Sequence, residues 1–238
     1  EEDRFLNAYL ALDRAAAGDM VGARNYLGIT GDAAADFDQP GFYLWIDAWL
    51  MALEGNLEGA INRHREVAGG MPGITADLSL AAMLEAAGRN EEALAVYDAL
   101  TPRTIQAPEH EFDPQGIIFA HVSTVVVRHA LLLQRMGRIE ESKVVYQQLA
   151  DAEPEQSTSY AAAIDSLETG KNLKNKPLTV RTGFALALSD VSYSMQQQRY
   201  IQTVMMGGNI EGFDDKRAAF DLSILLIDPA NENLRSGI

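Results

Sequence analysis

Glycines recur at one point of a helical pattern, and this recurrence constrains the fold more than any other feature. They close apolar helical stretches at Gly18, Gly55, Gly88, Gly137 and Gly170. An alanine stands seven residues before each of them, at Ala11, Ala48, Ala81, Ala130 and Ala163. Five matches at one offset indicate an internal repeat of a single structural unit.

The residues that follow the glycines repeat as well. Five positions after the first four glycines stand the small residues Ala23, Ala60, Ala93 and Ser142. Nine positions after them stand the larger residues Leu27, His64, Tyr97 and Tyr146. Because glycine adopts the left-handed conformation that ends a helix, and small side chains let two helix axes approach, each unit is predicted to be an antiparallel helix pair. Pro72 and Pro154, seventeen positions after two of the glycines, are predicted to end second helices.

This small-small-large order with a glycine between and a terminal proline resembles the tetratricopeptide repeat, over about residues 4 to 170. The resemblance implies an all-α fold, a right-handed superhelix or solenoid of antiparallel helix pairs. The glycine spacings of 37, 33, 49 and 33 depart from the family's roughly 34 residues, so we expect insertions after units one and three, at residues 28–39 and 103–112.

The order of features also resembles that of a group of poorly characterised multi-repeat tetratricopeptide proteins of alphaproteobacteria. It combines acidic surfaces, an early tryptophan-rich unit and a late helical pair that begins after a proline. The resemblance implies an exported protein, so a periplasmic or other exported location is favoured over the cytoplasm. The chain begins at Glu1 rather than at methionine, so we expect that a signal peptide or another leading stretch was removed.

Three regions are predicted along the chain: a repeat array at residues 1–170, a linker at 171–178 and an additional C-terminal helical pair at 179–238. The linker has no apolar face, since residues 171–177 read Lys-Asn-Leu-Lys-Asn-Lys-Pro. Outside the regular units, helices are predicted at residues 114–136, 179–197 and 214–227, with a further helix beginning at 232. Residues 198–213 fit either a loop or a short helix.

The acidic composition excludes several classes of partner. A formal net charge of −15 opposes binding to nucleic acid backbones and to anionic membrane surfaces. The chain has no cysteine, which excludes disulfides, zinc–thiolate sites and thiol nucleophiles. Its sequence has no apolar run of about 18 residues, so no membrane insertion is expected.

No residue pattern nominates a catalytic, cofactor or metal site. The nearest metal candidate is the stretch from Glu109 to Asp113, where acidic residues flank His110, but adjacent loop residues rarely converge on one ion. His64 and His129 fall on positions that the repeat uses for packing. Serine-nucleophile motifs and glycine-rich phosphate loops are missing from the sequence. We therefore expect a protein that is not an enzyme, with no catalytic residues, no cofactor and no metal.

The remaining candidate is a binding groove. In the tetratricopeptide family, residues ten and six before each glycine line a concave surface. Here those positions are almost wholly apolar, and the partner-binding residues that we predict among them are Leu12, Trp45, Trp49, Leu78, Val127, Leu131, Tyr160 and Ile164. This predicts a scaffold that binds a protein segment, as a peptide or a helix, with the two tryptophans as anchors. The alternative is a structural fragment of a longer solenoid, whose groove is filled by the chain itself and which has no independent ligand.

Overall fold

The computed structural model describes residues 4–29, 41–68, 73–106, 122–169, 175–206 and 213–229, and within these ranges it contains helices and no strand. The all-α prediction is confirmed. The helices are α1 Arg4–Ala16, α2 Met20–Tyr26, α3 Gly41–Leu53, α4 Leu57–Val67, α5 Gly73–Ala86, α6 Asn90–Gln106, α7 Val122–Arg135, α8 Ile139–Ala152, α9 Ser157–Glu168, α10 Val180–Met206 and α11 Phe213–Ile227. A single 3-10 turn, Pro154–Gln156, separates α8 from α9.

The first eight helices form four pairs, each joined by a turn at one of the repeating glycines. Gly18, Gly55, Gly88 and Gly137 have φ angles of 84°, 89°, 72° and 78°. Residues with a side chain rarely adopt this left-handed conformation, so the glycine is required there. In each turn the next amide reaches back to a carbonyl of the first helix, as Arg138 N does to Leu133 O at 2.9 Å. Gly170 lies outside the described residues.

The small residues of the repeat lie where the two helices of a pair meet. Ala11, Ala48, Ala81 and Ala130 are fully buried, as are Ala23, Ala60, Ala93 and Ser142. In the fourth pair the Ser142 hydroxyl also donates to the Ala130 carbonyl at 2.9 Å. The predicted register of the four pairs is therefore confirmed.

Successive pairs stack through α4 on α5 and α6 on α7, and α9 packs on α8. The first pair differs, because α1 makes its main helix contacts with α2 and with α11. Between the first and second pairs, Arg24 donates to Asp47 at 2.7 Å and to both carboxylate oxygens of Glu54 at 2.8 Å. Helix α11 and these ion pairs thus join the first pair to the rest.

The C-terminal helices α10 and α11 pack against each other and return to the early part of the chain. We call these two helices the hairpin. Helix α10 packs mainly on α5 and also on α3, whereas α11 packs on α1. We call these faces of α1, α3 and α5 the hairpin seat. Residues Asn175 to Thr179, which lead into the hairpin, carry no helix.

Several predicted boundaries differ from the structure. Helix α10 continues to Met206 instead of ending near residue 197, because the next helix breakers are Gly207 and Gly208. Helix α6 runs through Pro102 to Gln106, so the first residues of the predicted second insertion are helical. Helices α7 and α11 end at Arg135 and Ile227, close to prediction.

The remainder of both insertions, the predicted start at residue 114, the 109–113 stretch and the helix predicted from 232 lie outside the described residues. No helix in the described ranges is long and apolar enough to cross a membrane.

Candidate interaction site around Trp45 and Trp49

Trp45 and Trp49 lie one turn apart on α3, and both are fully buried. Their indole nitrogens donate to the same acceptor, the hydroxyl oxygen of Ser79 on α5, at 3.0 Å each. A buried indole N–H needs such a partner, because leaving it unpaired costs free energy. The polar ends of both predicted anchors are therefore satisfied within the chain.

The apolar faces of the two tryptophans meet Phe184 of α10. The Phe184 ring stacks on Trp49 with a centroid distance of 5.1 Å and an interplanar angle of 11°. It meets Trp45 edge-on at 6.1 Å and 67°. Phe42 extends the cluster by stacking on Trp45 at 5.6 Å, and it also approaches Phe220 of α11 at 6.2 Å. The hairpin thus covers the aromatic surface that the sequence predicts as a binding site.

Gly183 permits this close approach. A β-carbon placed there would lie 3.2 Å from the Trp49 ring and 3.2 Å from the Leu178 side chain. These separations are shorter than ordinary carbon–carbon contacts, so a side chain at this position would push α10 away from α3. The absent side chain lets the helix backbone lie against the indole.

A polar contact fixes α10 on α5. The Thr75 hydroxyl donates to Asp190 Oδ2 at 2.6 Å, and both residues are buried. A carboxylate removed from water must receive hydrogen bonds, so this contact favours one placement of α10 over alternatives that slide along the seat. It joins residues 115 positions apart in the chain.

The other predicted site residues do not form one open surface. Leu12 and Leu78 are fully buried, and Tyr160 is buried with its hydroxyl donating to Glu153 at 2.5 Å. Three more are only partly buried, namely Val127, Leu131 and Ile164. Four of the predicted residues lie on helices of the hairpin seat, namely Leu12, Trp45, Trp49 and Leu78, whereas Tyr160 and Ile164 lie on α9, outside it.

The residues that complete this site were missing from the sequence prediction. They are Phe42, Ser79, Gly183, Phe184 and Asp190. Only Gly183 gives a sequence signal, since an isolated glycine within a helical pattern indicates a close backbone approach. Nothing in the pattern indicates what approaches it.

A buried ionic cluster lies between α5 and α7. Glu85 accepts from Arg128 and lies 2.6 Å from Arg135 Nη2. Arg135 also donates to the Asn175 side-chain oxygen at 2.8 Å, and Asn175 in turn donates to the Leu131 carbonyl at 2.6 Å. The cluster thereby ties Asn175, within the predicted linker, to α7. Burial raises the pKa of the nearby Tyr97 hydroxyl well above its usual value, so that group stays neutral.

The two described histidines occupy packing positions. His129 lies between helices, with Nδ1 2.9 Å from the Thr101 hydroxyl, Nε2 3.1 Å from Asp98 and its ring stacked on Tyr97. His64 is buried on α4, and neither ring nitrogen has a hydrogen-bond partner among the described residues. Burial lowers the pKa of His64 to about 4, so its ring is neutral near pH 7. Within the described ranges no group of three potential metal ligands comes together.

Comparison with known proteins yields no relative. No protein-family model matches the chain, and neither a curated protein nor a solved structure matches it significantly.

Proposed function

We propose that this chain is a non-catalytic helical-repeat module of the tetratricopeptide type, a right-handed superhelix whose inner surface is filled by its own C-terminal hairpin. Its role is then structural. The repeat array and the hairpin hold each other in one arrangement, and the outer helix faces are left for contacts with other proteins. The observation that carries the proposal is the seating of Phe184 on Trp49 and Trp45.

The polar contacts support an internal occupant over an external one. Both indoles are already bonded to Ser79, and Asp190 of α10 already accepts from Thr75. An external peptide that took the place of α10 would have to replace the aromatic stacking and supply a partner for Thr75. The rival proposal, an apolar groove that binds a peptide or helix of another protein, therefore requires the hairpin to leave its seat first.

The buried charged groups also favour a structural role. The described buried carboxylates have identifiable intrachain contacts: Asp47 with Arg24, Glu85 with Arg128 and Arg135, and Asp190 with Thr75. Such pairs join neighbouring helices. None of these three contacts pairs the carboxylate with a histidine or a second acid, and Asp98, which lies 3.1 Å from His129 Nε2, is exposed.

A double-mutant cycle tests the proposal directly. Trp49→Ala and Phe184→Ala should each lower the free energy of unfolding by about 3 to 5 kcal/mol, as truncation of a buried aromatic residue does. Because the rings stack, the double variant should lose less than the sum, by about 0.5 to 1.5 kcal/mol. Leu222→Ala, at an exposed position of α11, is the control and should show no coupling to Trp49.

A groove that stays open in the free chain gives the opposite result. If α10 did not cover the tryptophans, Trp49→Ala would change stability little and would show no coupling to Phe184. Denaturant titrations of the four chains of the cycle and of the two Leu222 control variants, all at one pH and one salt concentration, decide whether α10 covers the tryptophans.

A further inference from the structure

We infer that α7 binds an acidic side chain of a partner protein, in a segment where apolar residues stand next to the acidic one. The site consists of Arg128 and Arg135, with the partly exposed Leu131 between them on the same helix face. This inference goes beyond the proposed function, because α7 is not one of the helices that form the hairpin seat.

Two guanidinium groups share one carboxylate in the buried ionic cluster. Arg128 donates to Glu85 Oε1, and Arg135 Nη2 lies 2.6 Å from the same oxygen. The Glu85 side chain is only 1% exposed, so water hardly screens these charges. The nearby Tyr97 hydroxyl is neutral, and no other described carboxylate forms an ion pair with either arginine. Among the described residues the cluster therefore has one positive charge in excess.

This excess is an exception in a chain whose net charge is −15. In the other groups of ion-paired residues that the structure describes, carboxylates equal or outnumber cations. Arg24, for example, is paired with both Asp47 and Glu54. Because the summed field of the chain repels an acidic segment elsewhere, the charge of such a segment is best matched at the cluster on α7.

The cluster keeps some capacity to bind a further carboxylate. The side chains of Arg128 and Arg135 are 15% and 13% exposed, so neither is closed off by the described residues. Arg135 already donates to Asn175 at 2.8 Å, whereas Arg128 Nε has no hydrogen-bond partner among the described residues. Arg128 is therefore the group that we expect to receive the partner's carboxylate, through charge-assisted hydrogen bonds.

Apolar side chains next to Arg128 favour a protein segment over a small free anion. Val127 precedes Arg128 and Leu131 lies one turn further along α7, and both are partly exposed. A free carboxylate gains nothing from these side chains. Leucine or valine on either side of an acidic residue would instead remove apolar surface from water against them.

Capped peptides test the inference on the full, unaltered chain. The probe is acetyl-Ala-Leu-Glu-Leu-Ala-amide, and its match carries Gln in place of Glu, so that the two differ only in the charged group. We expect the Glu peptide to bind at least about tenfold more tightly in calorimetric or NMR titrations, with a preference that shrinks as salt rises. Equal affinities would overturn the inference.

Two further ligands distinguish the source of the carboxylate. Acetyl-Ala-Leu-Gln-Leu-Ala with a free terminal carboxylate should bind no better than the capped Gln peptide, and sodium acetate should bind more weakly than the capped Glu peptide. If either ligand bound as tightly as the Glu peptide, an acidic side chain within an apolar segment would not be what α7 selects.

Arg128→Gln removes the excess charge and leaves Glu85 paired with Arg135, so no buried carboxylate loses its partner. We expect this variant to bind the Glu and Gln peptides with affinities within about twofold of each other. Arg103→Gln, at an exposed pair with Asp77, changes the net charge equally and is the matched control that should keep the preference. A preference retained in Arg128→Gln, or lost in both variants, would overturn the inference.

Leu131→Ser tests the apolar contact while both arginines remain. It should weaken binding of the Glu and Gln peptides by a similar factor and leave their ratio unchanged. Unchanged affinity for both peptides would show that Leu131 is not part of the site. None of these variants alters Trp49 or Phe184, so failure of this inference leaves the filled hairpin seat standing.

Discussion

At the scale of single residues, one position of the repeat is occupied by side chains of very different polarity. The residue nine positions after the turn glycine is Leu27, His64, Tyr97 or Tyr146, and all four are buried. Tyr97 gains a polar contact, since its hydroxyl lies 3.5 Å from Glu85. His64 gains no polar contact from the described residues, so the packing pattern conflicts with side-chain polarity there.

His64 should make the fold sensitive to acid. Its pKa is lowered to about 4 in the folded chain and returns to an ordinary value near 6.5 on unfolding. The unfolded chain therefore binds the proton first, so stability is complete above about pH 6.5 and falls as the pH approaches 4, by up to about 3 kcal/mol. Because His64→Leu removes this loss, its free energy of unfolding relative to the unaltered chain should rise by that amount between pH 7 and pH 4. If the difference in free energy of unfolding between the two chains did not change with pH, His64 would have an ordinary pKa in the folded chain and the prediction would be wrong.

Ala130 should tolerate no larger side chain. It is fully buried where α7 crosses α8, and its carbonyl accepts from Ser142. Ala130→Leu should lower the free energy of unfolding by about 1 to 3 kcal/mol, because added methylenes force the two axes apart. Ala162→Leu on α9 is a matched control at an exposed alanine, and the midpoint of its thermal unfolding should hardly change. Equal thermal shifts in the two variants would contradict the register of the fourth pair.

At the scale of helices, α9 differs from the first helices of the earlier pairs. Counted back from the glycine, positions occupied in α7 by the buried Val126, His129 and Leu133 are occupied in α9 by Ser159, Ala162 and Ser166. The first two of these are exposed and Ser166 is partly buried. Small and polar residues suit a face that no helix of the described ranges covers, as in the terminal helices of other repeat arrays.

Gly183 shows how one residue positions a whole helix. Glycine normally weakens a helix, so replacing it usually stabilises by up to about 1 kcal/mol. Here we expect the opposite sign: Gly183→Leu should destabilise by at least about 1 to 3 kcal/mol, because its side chain would enter the space of Trp49 and Leu178. Thr182→Leu, at an exposed position on the same turn of α10, is the control for helix propensity. Stabilisation by Gly183→Leu in thermal melts would mean that α10 does not lie against α3.

At the scale of the whole molecule, the sequence predicts the helix pairs well but not where the hairpin packs on them. The pair register follows from local requirements, since a left-handed turn needs glycine and a close crossing needs alanine, as at Gly88 and Ala81. The location of α10 follows from contacts between distant residues, such as Thr75 with Asp190, and no local pattern encodes them. Trp45 and Trp49 have the same composition and spacing whether a partner or the chain itself covers them.

The last prediction concerns the first helix pair, whose attachment depends on the hairpin. Helix α1 packs on α2 and α11, and Phe220 of α11 is buried beside Phe42 of α3. Phe220→Ala leaves the ion pairs of Arg24 intact, but it removes the aromatic contact between α11 and the second pair. We expect amide hydrogen exchange in α1 and α2 to rise by at least about tenfold, with exchange in α7 and α8 unchanged, because local opening frees only the first pair. Val21→Ala, an exposed change on α2, controls for a general effect of truncation there. A uniform rise across all helices would instead indicate global destabilisation, and the first pair would then unfold together with the rest of the array rather than depend on the hairpin.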